Sequence, residues 1–325
     1  MGKRGIAEQQ GNRQRLLDIL PLDTPLQMQL ELASACNFKC RFCMHHDNDM
    51  LRRKGVNLGV MDEETFHSAV NGIKEFPQRI KLINLQSRGE SLLNKNIGTM
   101  VHELKSADVA EKIGLYTNGS LLTPEMSNDL IDGGIDVLHI SIEGMSSEKY
   151  LEVCGTKVNF EDIVTNVKYF YNNKKDTYLY VKTMDNGLTQ KEKDIFYDVF
   201  ENIADNVFIE NPVDAWKDAE IDLKYLKKDR YKTNTKSATI CPRIFFSMVV
   251  HHDGTVVACD HDWSEQYIIG HVKNDRIIDI WNGQKMDNLR KQHINGRADG
   301  IARCKGCIAR TECLEQDNID AILKG

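Results

Sequence analysis

Between Leu26 and Glu210 the chain alternates strand-like and helix-like stretches, and this alternation limits the fold more than any other feature. Residues 28–33, 80–86, 112–117, 136–142, 178–183 and 206–210 are apolar, β-branched runs bounded by turn residues, so they read as strands. Residues 63–76, 97–105, 124–133, 160–172 and 190–203 carry helical periodicity, and the stretch from Ser146 is partly helical. Asp62 and Thr123 stand where N-caps belong, and Pro124 opens its helix. Six strands alternating with helices over short connections predict a parallel sheet with helices packed on its outside. Periodicity alone leaves open whether that sheet is doubly wound or curls into a barrel.

The loop after the first strand reads Cys36-Asn37-Phe38-Lys39-Cys40-Arg41-Phe42-Cys43. Three thiolates on one tight loop can hold three irons of a [4Fe–4S] cube and leave the fourth iron to a small molecule. A structural zinc site takes four ligands and has no such opening. The chain has nine cysteines, an odd number, and eight fall into two groups, which favours metal ligation over disulfides in a reducing compartment. The net charge of −6 gives no electrostatic case for nucleic acid. No apolar run approaches the roughly 18 residues of a membrane span, and the start lacks a signal-peptide core. These features predict a cytoplasmic protein with neither nucleic acid nor membrane as partner.

The second group is Cys241, Cys259, Cys304, Cys307 and Cys313. Cys241 and Cys259 bracket His252-Asp253-Gly254, a hairpin signal between the β-like runs 243–251 and 255–259. A further strand is predicted at 268–272, and a helix over 277–290 broken near Asn282-Gly283. Cys304 and Cys307 form a C-x2-C pair in which Gly306 supplies the turn. Two such pairs brought together make a four-thiolate site, and by chemistry alone zinc competes with an iron–sulfur cluster there. The predicted organisation is an extension over 1–24 with a short helix near 13–20, a core over 25–212, a linker over 213–240 with a short helix at 222–228, and a cysteine domain over 241–325.

The first loop resembles the cluster loop of radical S-adenosylmethionine (SAM) enzymes, down to the aromatic Phe42 before the third cysteine. The resemblance implies a partial (β/α)6 TIM-like barrel with a small C-terminal α+β iron–sulfur domain, reactive residues lying at the carboxyl ends of the strands. It implies that Cys36, Cys40 and Cys43 hold a [4Fe–4S] cluster whose open iron is chelated by SAM. Cleavage of SAM then gives a 5′-deoxyadenosyl radical that abstracts hydrogen from a substrate. Gly89-Glu90 after strand 2 is similar to the family's glycine-glycine-glutamate motif, which meets the SAM amino group, with Arg88 where a glycine is usual and Ser91 where proline is usual. Asn118 after strand 3 becomes a wall of the SAM pocket. Ser141 and Glu143 after strand 4 resemble a serine-x-aspartate element that contacts the SAM carboxylate and ribose, with Glu143 one methylene longer.

The C-terminal spacing resembles the SPASM and twitch auxiliary domains of the same family, in particular the twitch domains of its aminocyclitol-oxidising dehydrogenases. A full SPASM domain has seven cysteines, whereas this chain carries Asp317 where the next cysteine would fall and none after it. One auxiliary [4Fe–4S] cluster on Cys241, Cys259, Cys304 and Cys307 is therefore expected, with Cys313 spare; the competing ligand set has Cys313 in place of Cys241.

A fully ligated cluster cannot bind SAM but can take an electron. The leading expectation is a dehydrogenase-type oxidoreductase that removes hydrogen from a carbinol carbon of a sugar, sugar nucleotide or aminocyclitol and leaves a ketone. Lys182, Asp185 and His139 are the candidates for the base. Flavodoxin or ferredoxin is the reductant usual in the family. Two alternatives remain: a sugar or cyclitol epimerase with Cys313 or Cys154 as hydrogen donor, and a peptide- or protein-modifying maturase. A cluster- or zinc-bearing binding protein is the non-enzyme alternative.

Overall fold

The computed structural model describes residues 3–4, 14–222 and 224–324. Its frame is six parallel strands: β1 (Gln27–Leu30), β2 (Ile80–Asn84), β3 (Ala110–Thr117), β4 (Val137–Ile142), β5 (Tyr178–Met184) and β6 (Asn206–Glu210). They pair in sequence order, β1 to β6, and the curved sheet is an open, partial barrel rather than a doubly wound sheet. Consecutive pairing is what short right-handed βα connections produce. Lys3–Arg4 pairs with the outer edge of β6.

The predicted helices form where their caps direct. Asp62 accepts from Thr65 N at the start of α3 (Glu63–Ile73), and Thr123 accepts from Met126 N at α5 (Pro124–Gly133), which Gly134 ends in the left-handed region. The other outer helices are α4 (Ile97–Ser106), α6 (Ser147–Cys154), α7 (Phe160–Asn173) and α8 (Gln190–Phe200). Their buried faces, with residues such as Phe66, Val101, Leu130, Val167 and Phe196, pack on the outside of the strands in one continuous core.

The C-terminal hairpin adds to the same sheet. β7 (Ser247–Val250) runs parallel to β1, and β8 (Thr255–Val257) and β9 (Ile268–His271) follow antiparallel. Gly254, at φ +94°, makes the turn between β7 and β8. The helix expected over 277–290 is broken at Asn282-Gly283 into α10 (Ile277–Trp281) and α11 (Gln284–Ile294).

Two sequence expectations are corrected. Residues 243–246 are the helical turn α9 (Arg243–Phe246), not strand, since Pro242 starts it and Ser247 Oγ donates to Arg243 O at 3.0 Å. The described part of 222–228 is turn rather than helix. Its backbone donors go elsewhere: Asp222 N to Arg41 O and Lys227 N to Pro212 O. Of the predicted N-terminal helix, α1 (Leu16–Ile19) is present, and Arg13 lies outside the described residues. No helix among the described residues is long and apolar enough to cross a membrane.

Candidate active site

The three-cysteine loop lies at the carboxyl end of β1 and is braced by the end of α6. Lys39 N donates to Cys154 O at 2.8 Å and Arg41 N to Val153 O at 3.0 Å, while Cys43 N closes a turn on Cys40 O at 2.9 Å. Phe38 anchors the loop edge-to-face on Tyr150. Cys154 is fully buried with its thiol against Cys40; that contact and burial push the Cys40 thiol well up. Burial likewise raises Cys36 and pushes Cys43 up to about 12. Three thiols on one short loop suit an iron–sulfur cluster, whose iron takes the place of the thiol protons.

The β2 end locks onto this loop. Glu90 N donates to Ala35 O at 2.8 Å, next to Cys36. A Cβ on Gly89 would lie 2.2 Å from Ala35 O and 2.6 Å from Ala33 O, so only glycine fits. The Glu90 carboxylate, 2% exposed, accepts from Thr117 Oγ1 at 2.7 Å, Asn118 N at 2.8 Å and Leu92 N at 3.1 Å. Burial outweighs those bonds and raises its pKa. Asn118 Nδ2 in turn donates to Asn37 Oδ1, on the cluster loop. The departure at Arg88 has a structural reason: its side chain turns away from this pocket into a buried ion pair with Glu31.

Ser141 and Glu143 end β4, both half-buried. Burial pushes Glu143 up to about 7, against the pull of Lys182, and Glu143 lies within electrostatic reach of the cluster-loop thiols. A cavity beside Phe42 is lined by Met184 at the end of β5, Asn186 after it, Val213 after β6, and Trp216, Ile221 and Tyr225 of the linker.

Inside the barrel, rings from adjacent strands stack in register. Tyr116 (β3), His139 (β4) and Tyr180 (β5) have centroids 4.1 and 4.6 Å apart. His139 is dry enough that burial lowers its pKa to about 3, so it is neutral, and its Nδ1 has no hydrogen-bond partner. Above the stack, Lys182 Nζ pairs with Glu210 Oε1 at 2.9 Å, and Glu210 Oε2 is buried without a partner. Asp185 sits apart from this interior between Lys193 at 3.0 Å and Lys227 at 2.8 Å, which override its burial and keep it ionised.

From Glu210 the polar groups continue toward the second cysteine group. Arg230 lies near both Glu210 and Arg243. Arg243 Nη1 donates to both oxygens of Asp260 at 2.9 Å, Asp260 also accepts from Gln29 of β1, and Arg243 lies near Cys259 and Cys241. One cavity is lined by Cys241, Cys259, Cys304 and Cys307 together, with Ile244 and Ala309 as apolar walls. Burial pushes Cys241 up to about 12 and Cys304 up to about 11, so this donor set also suits a metal cluster. Cys313 lies apart from that lining, in a two-way backbone bridge with Lys236. Among the described residues no three Cys, His, Asp or Glu side chains converge as a single-ion site would require.

Glu210, Arg230, Arg243 and Asp260 escaped the sequence reading. Glu210 had a usable signal, a carboxylate at the carboxyl end of a barrel strand, and Asp260 directly follows a cysteine. Arg230 lies in an irregular segment and Arg243 opens the helical turn α9, and only the fold brings them inward.

Comparison with known proteins identifies the family. The model of the radical SAM superfamily matches residues 30–196, just over half of the chain, and that of the SPASM iron–sulfur cluster-binding domain matches residues 241–308. The chain is 25% identical, over 88% of each sequence, to the tungsten-containing aldehyde ferredoxin oxidoreductase cofactor-modifying protein of Pyrococcus furiosus. It is 25% identical to a GTP 3′,8-cyclase of Staphylococcus haemolyticus over 44% of this chain and 41% of that one. Its fold is shared with BtrN in complex with AdoMet and 2-DOIA, at a TM-score of 0.53 and 20% identity over 87% of this chain and 92% of that one. It is shared too with Streptococcus suis SuiB bound to precursor peptide SuiA, at a TM-score of 0.65 and 13% identity over 83% and 67%.

Proposed function

The chain belongs to the radical SAM superfamily, and from that premise we propose that it is a dehydrogenase-type oxidoreductase acting on a carbinol carbon of a sugar, sugar nucleotide or aminocyclitol. The observation that carries this reading is the run of polar groups extending from the three-cysteine loop to the four-cysteine cavity. When bound, the two clusters supply reductive cleavage of SAM on one side and a seat for the electron leaving the substrate on the other. The ligands are Cys36, Cys40 and Cys43, and Cys241, Cys259, Cys304 and Cys307.

The chain's own groups divide the remaining work. Gly89, Glu90 and Asn118 receive the SAM amino group, Ser141 and Glu143 its carboxylate and ribose, and the cavity beside Phe42 its adenine. Substrate sits over the Tyr116–His139–Tyr180 stack. Lys182 orients a hydroxyl, and neutral His139 offers Nδ1 for a hydrogen bond. Glu210 takes the hydroxyl proton on Oε2, the oxygen that its pairing with Lys182 through Oε1 leaves without a partner. Asp185 keeps its two lysines in place at the rim. An external reductant such as flavodoxin or ferredoxin delivers the electron.

The full-length likeness to a cofactor-modifying protein favours a second reading, in which the alcohol belongs to a cofactor or its precursor. Both readings are tested by one anaerobic assay. Reconstituted enzyme, SAM and reductant are offered sugars, sugar nucleotides, aminocyclitols and cofactor precursors, each deuterated at the carbinol carbon. The expected result is one 5′-deoxyadenosine carrying deuterium per ketone formed. A product of unchanged oxidation state in which solvent hydrogen has replaced the deuterium makes the enzyme an epimerase, and turnover confined to a peptide makes it a maturase.

A further inference from the structure

Arg88 replaces a glycine usual in the family and is among the most buried charges in the molecule, its side chain 1% exposed. All three of its guanidinium nitrogens donate hydrogen bonds. Nε donates to Glu31 Oε2 at 2.8 Å and Nη2 to Glu31 Oε1 at 2.7 Å, a two-pronged pair. Nη1 donates to Trp263 O at 3.0 Å and to Glu265 Oε1 at 2.7 Å. The backbone of Arg88 is fixed as well: its N–H donates to Glu31 Oε2 at 3.1 Å, and its carbonyl lies 3.2 Å from His45 Nε2, two residues beyond Cys43.

These partners belong to three different parts of the chain. Glu31 directly follows β1, Trp263 and Glu265 lie in the turn that begins at Cys259, and Arg88 itself starts the Arg88-Gly89-Glu90 turn. That second turn is rigid: Asp262 N donates to Cys259 O at 3.1 Å, and the Asp262 carboxylate accepts from Gln266 N and Tyr267 N. Trp263 packs with Met44 and Met50, so the stretches after Cys43 and after Cys259 share one small apolar core. His251 lies between the two carboxylates, its Nδ1 3.2 Å from Glu31 and its Nε2 4.0 Å from Glu265; His252 Nδ1 lies 3.5 Å from Glu31. Burial opposes the charge on Arg88, but Glu31 and Glu265 more than offset it.

A glycine at 88 would leave Glu31 and Glu265 as buried carboxylates without their cation, and a lysine would offer one point of charge where a planar fork is used. Arg88, Glu31 and Glu265 therefore act as a set. We propose that Arg88 is a positioning residue that couples the Gly89-Glu90 turn to the turn after Cys259, so that an ordered four-cysteine site tightens SAM binding. The inference rests on the reading that Gly89 and Glu90 meet the SAM amino group. It is independent of the substrate.

The test is calorimetric titration of SAM into anaerobically reconstituted, unreduced enzyme. Glu265→Gln removes the ion pair that ties Arg88 to the second turn and leaves the bond to Trp263 O and the Arg88–Glu31 pair intact, so the chain folds. Cys304→Ala disables the four-cysteine site, and Glu90→Ala is the control for the turn. Glu265→Gln and Cys304→Ala are each expected to weaken SAM binding about fivefold or more, the lower range of measured couplings. Combined, they are expected to weaken it no further than the larger single effect, while Glu265→Gln keeps wild-type iron content and melting temperature. A purely structural role would not produce that non-additivity. Glu265→Gln binding SAM like wild type while Glu90→Ala does not, or effects that multiply, overturns the coupling alone. Wild-type SAM binding by Glu90→Ala overturns the reading of the turn and the coupling with it.

Discussion

Cys36, Cys40 and Cys43 come from one loop, whereas Cys241, Cys259, Cys304 and Cys307 come from a hairpin and a distant turn that the fold must bring together. The first group is braced from behind by α6 and faces Glu143, Glu90 and the barrel interior. The second lines its own cavity, together with Ile244, Ala309, His261, Arg303 and Arg310. A short loop offers three thiolates and leaves an iron to a small molecule, while two converging pairs offer four and leave none. On the proposed function, this difference in chain topology separates a site that does chemistry on SAM from one that exchanges electrons.

Breaking this contrast has graded consequences. Alanine at Cys36, Cys40 or Cys43 is expected to reduce 5′-deoxyadenosine formation to background in an anaerobic assay. Alanine at Cys304 or Cys307 is expected to do less: 5′-deoxyadenosine persists and the oxidised product is lost, so chromatography of both separates the two roles. Cys313→Ala is expected to keep both products, since Cys313 lies apart from the four-cysteine lining.

The two loops also differ in how they use glycine. Gly89→Ala forces a Cβ into the Ala33 and Ala35 carbonyls, with an expected loss of about 3 kcal/mol or more in denaturant unfolding and weakened SAM binding. Gly306→Ala, at φ +65° with nothing within 4 Å, meets only backbone strain, about 1 kcal/mol. Equal losses would mean that the loops are equally confined.

A further effect, which vanishes near neutral pH, concerns the barrel floor between the two groups. The pKa of His139 is depressed from 6.5 to about 3 by burial, so below pH 6.5 the unfolded chain takes up a proton that the folded one refuses. Stability is then lost as pH falls, by about 1.4 kcal/mol per unit from this group. His139→Phe, which retains a ring in the stack, is expected to flatten the decline between pH 6.5 and pH 4. An unchanged decline would mean that water reaches the floor.

The fold was legible where the signal is local. Asp62, Thr123 and Pro124 mark helix starts in the sequence and cap them in the structure, and the six strands are where the apolar runs lie. The three-cysteine loop was legible for the same reason, since its spacing is its geometry. The pairing of β7 with β1 was not, because parallel pairing leaves no turn signature between two distant strands. Nor was the reason for Arg88, whose partners Glu31 and Glu265 are separated from it by 57 and 177 residues. Helix 222–228 failed because its backbone donors are taken by the cluster loop and by Pro212, a tertiary override of local propensity. Isolated charges such as Glu210 and Arg230 look alike on any surface until a fold turns them inward.

The most direct test of the two-group account is iron and sulfide per chain after anaerobic reconstitution, in wild type and in a Cys36/Cys40/Cys43 triple-alanine variant. The account predicts about eight irons falling to about four, as two cubes require. About four irons falling to none, with zinc retained by the C-terminal cysteines, would contradict it and remove the electron acceptor from the proposed oxidation.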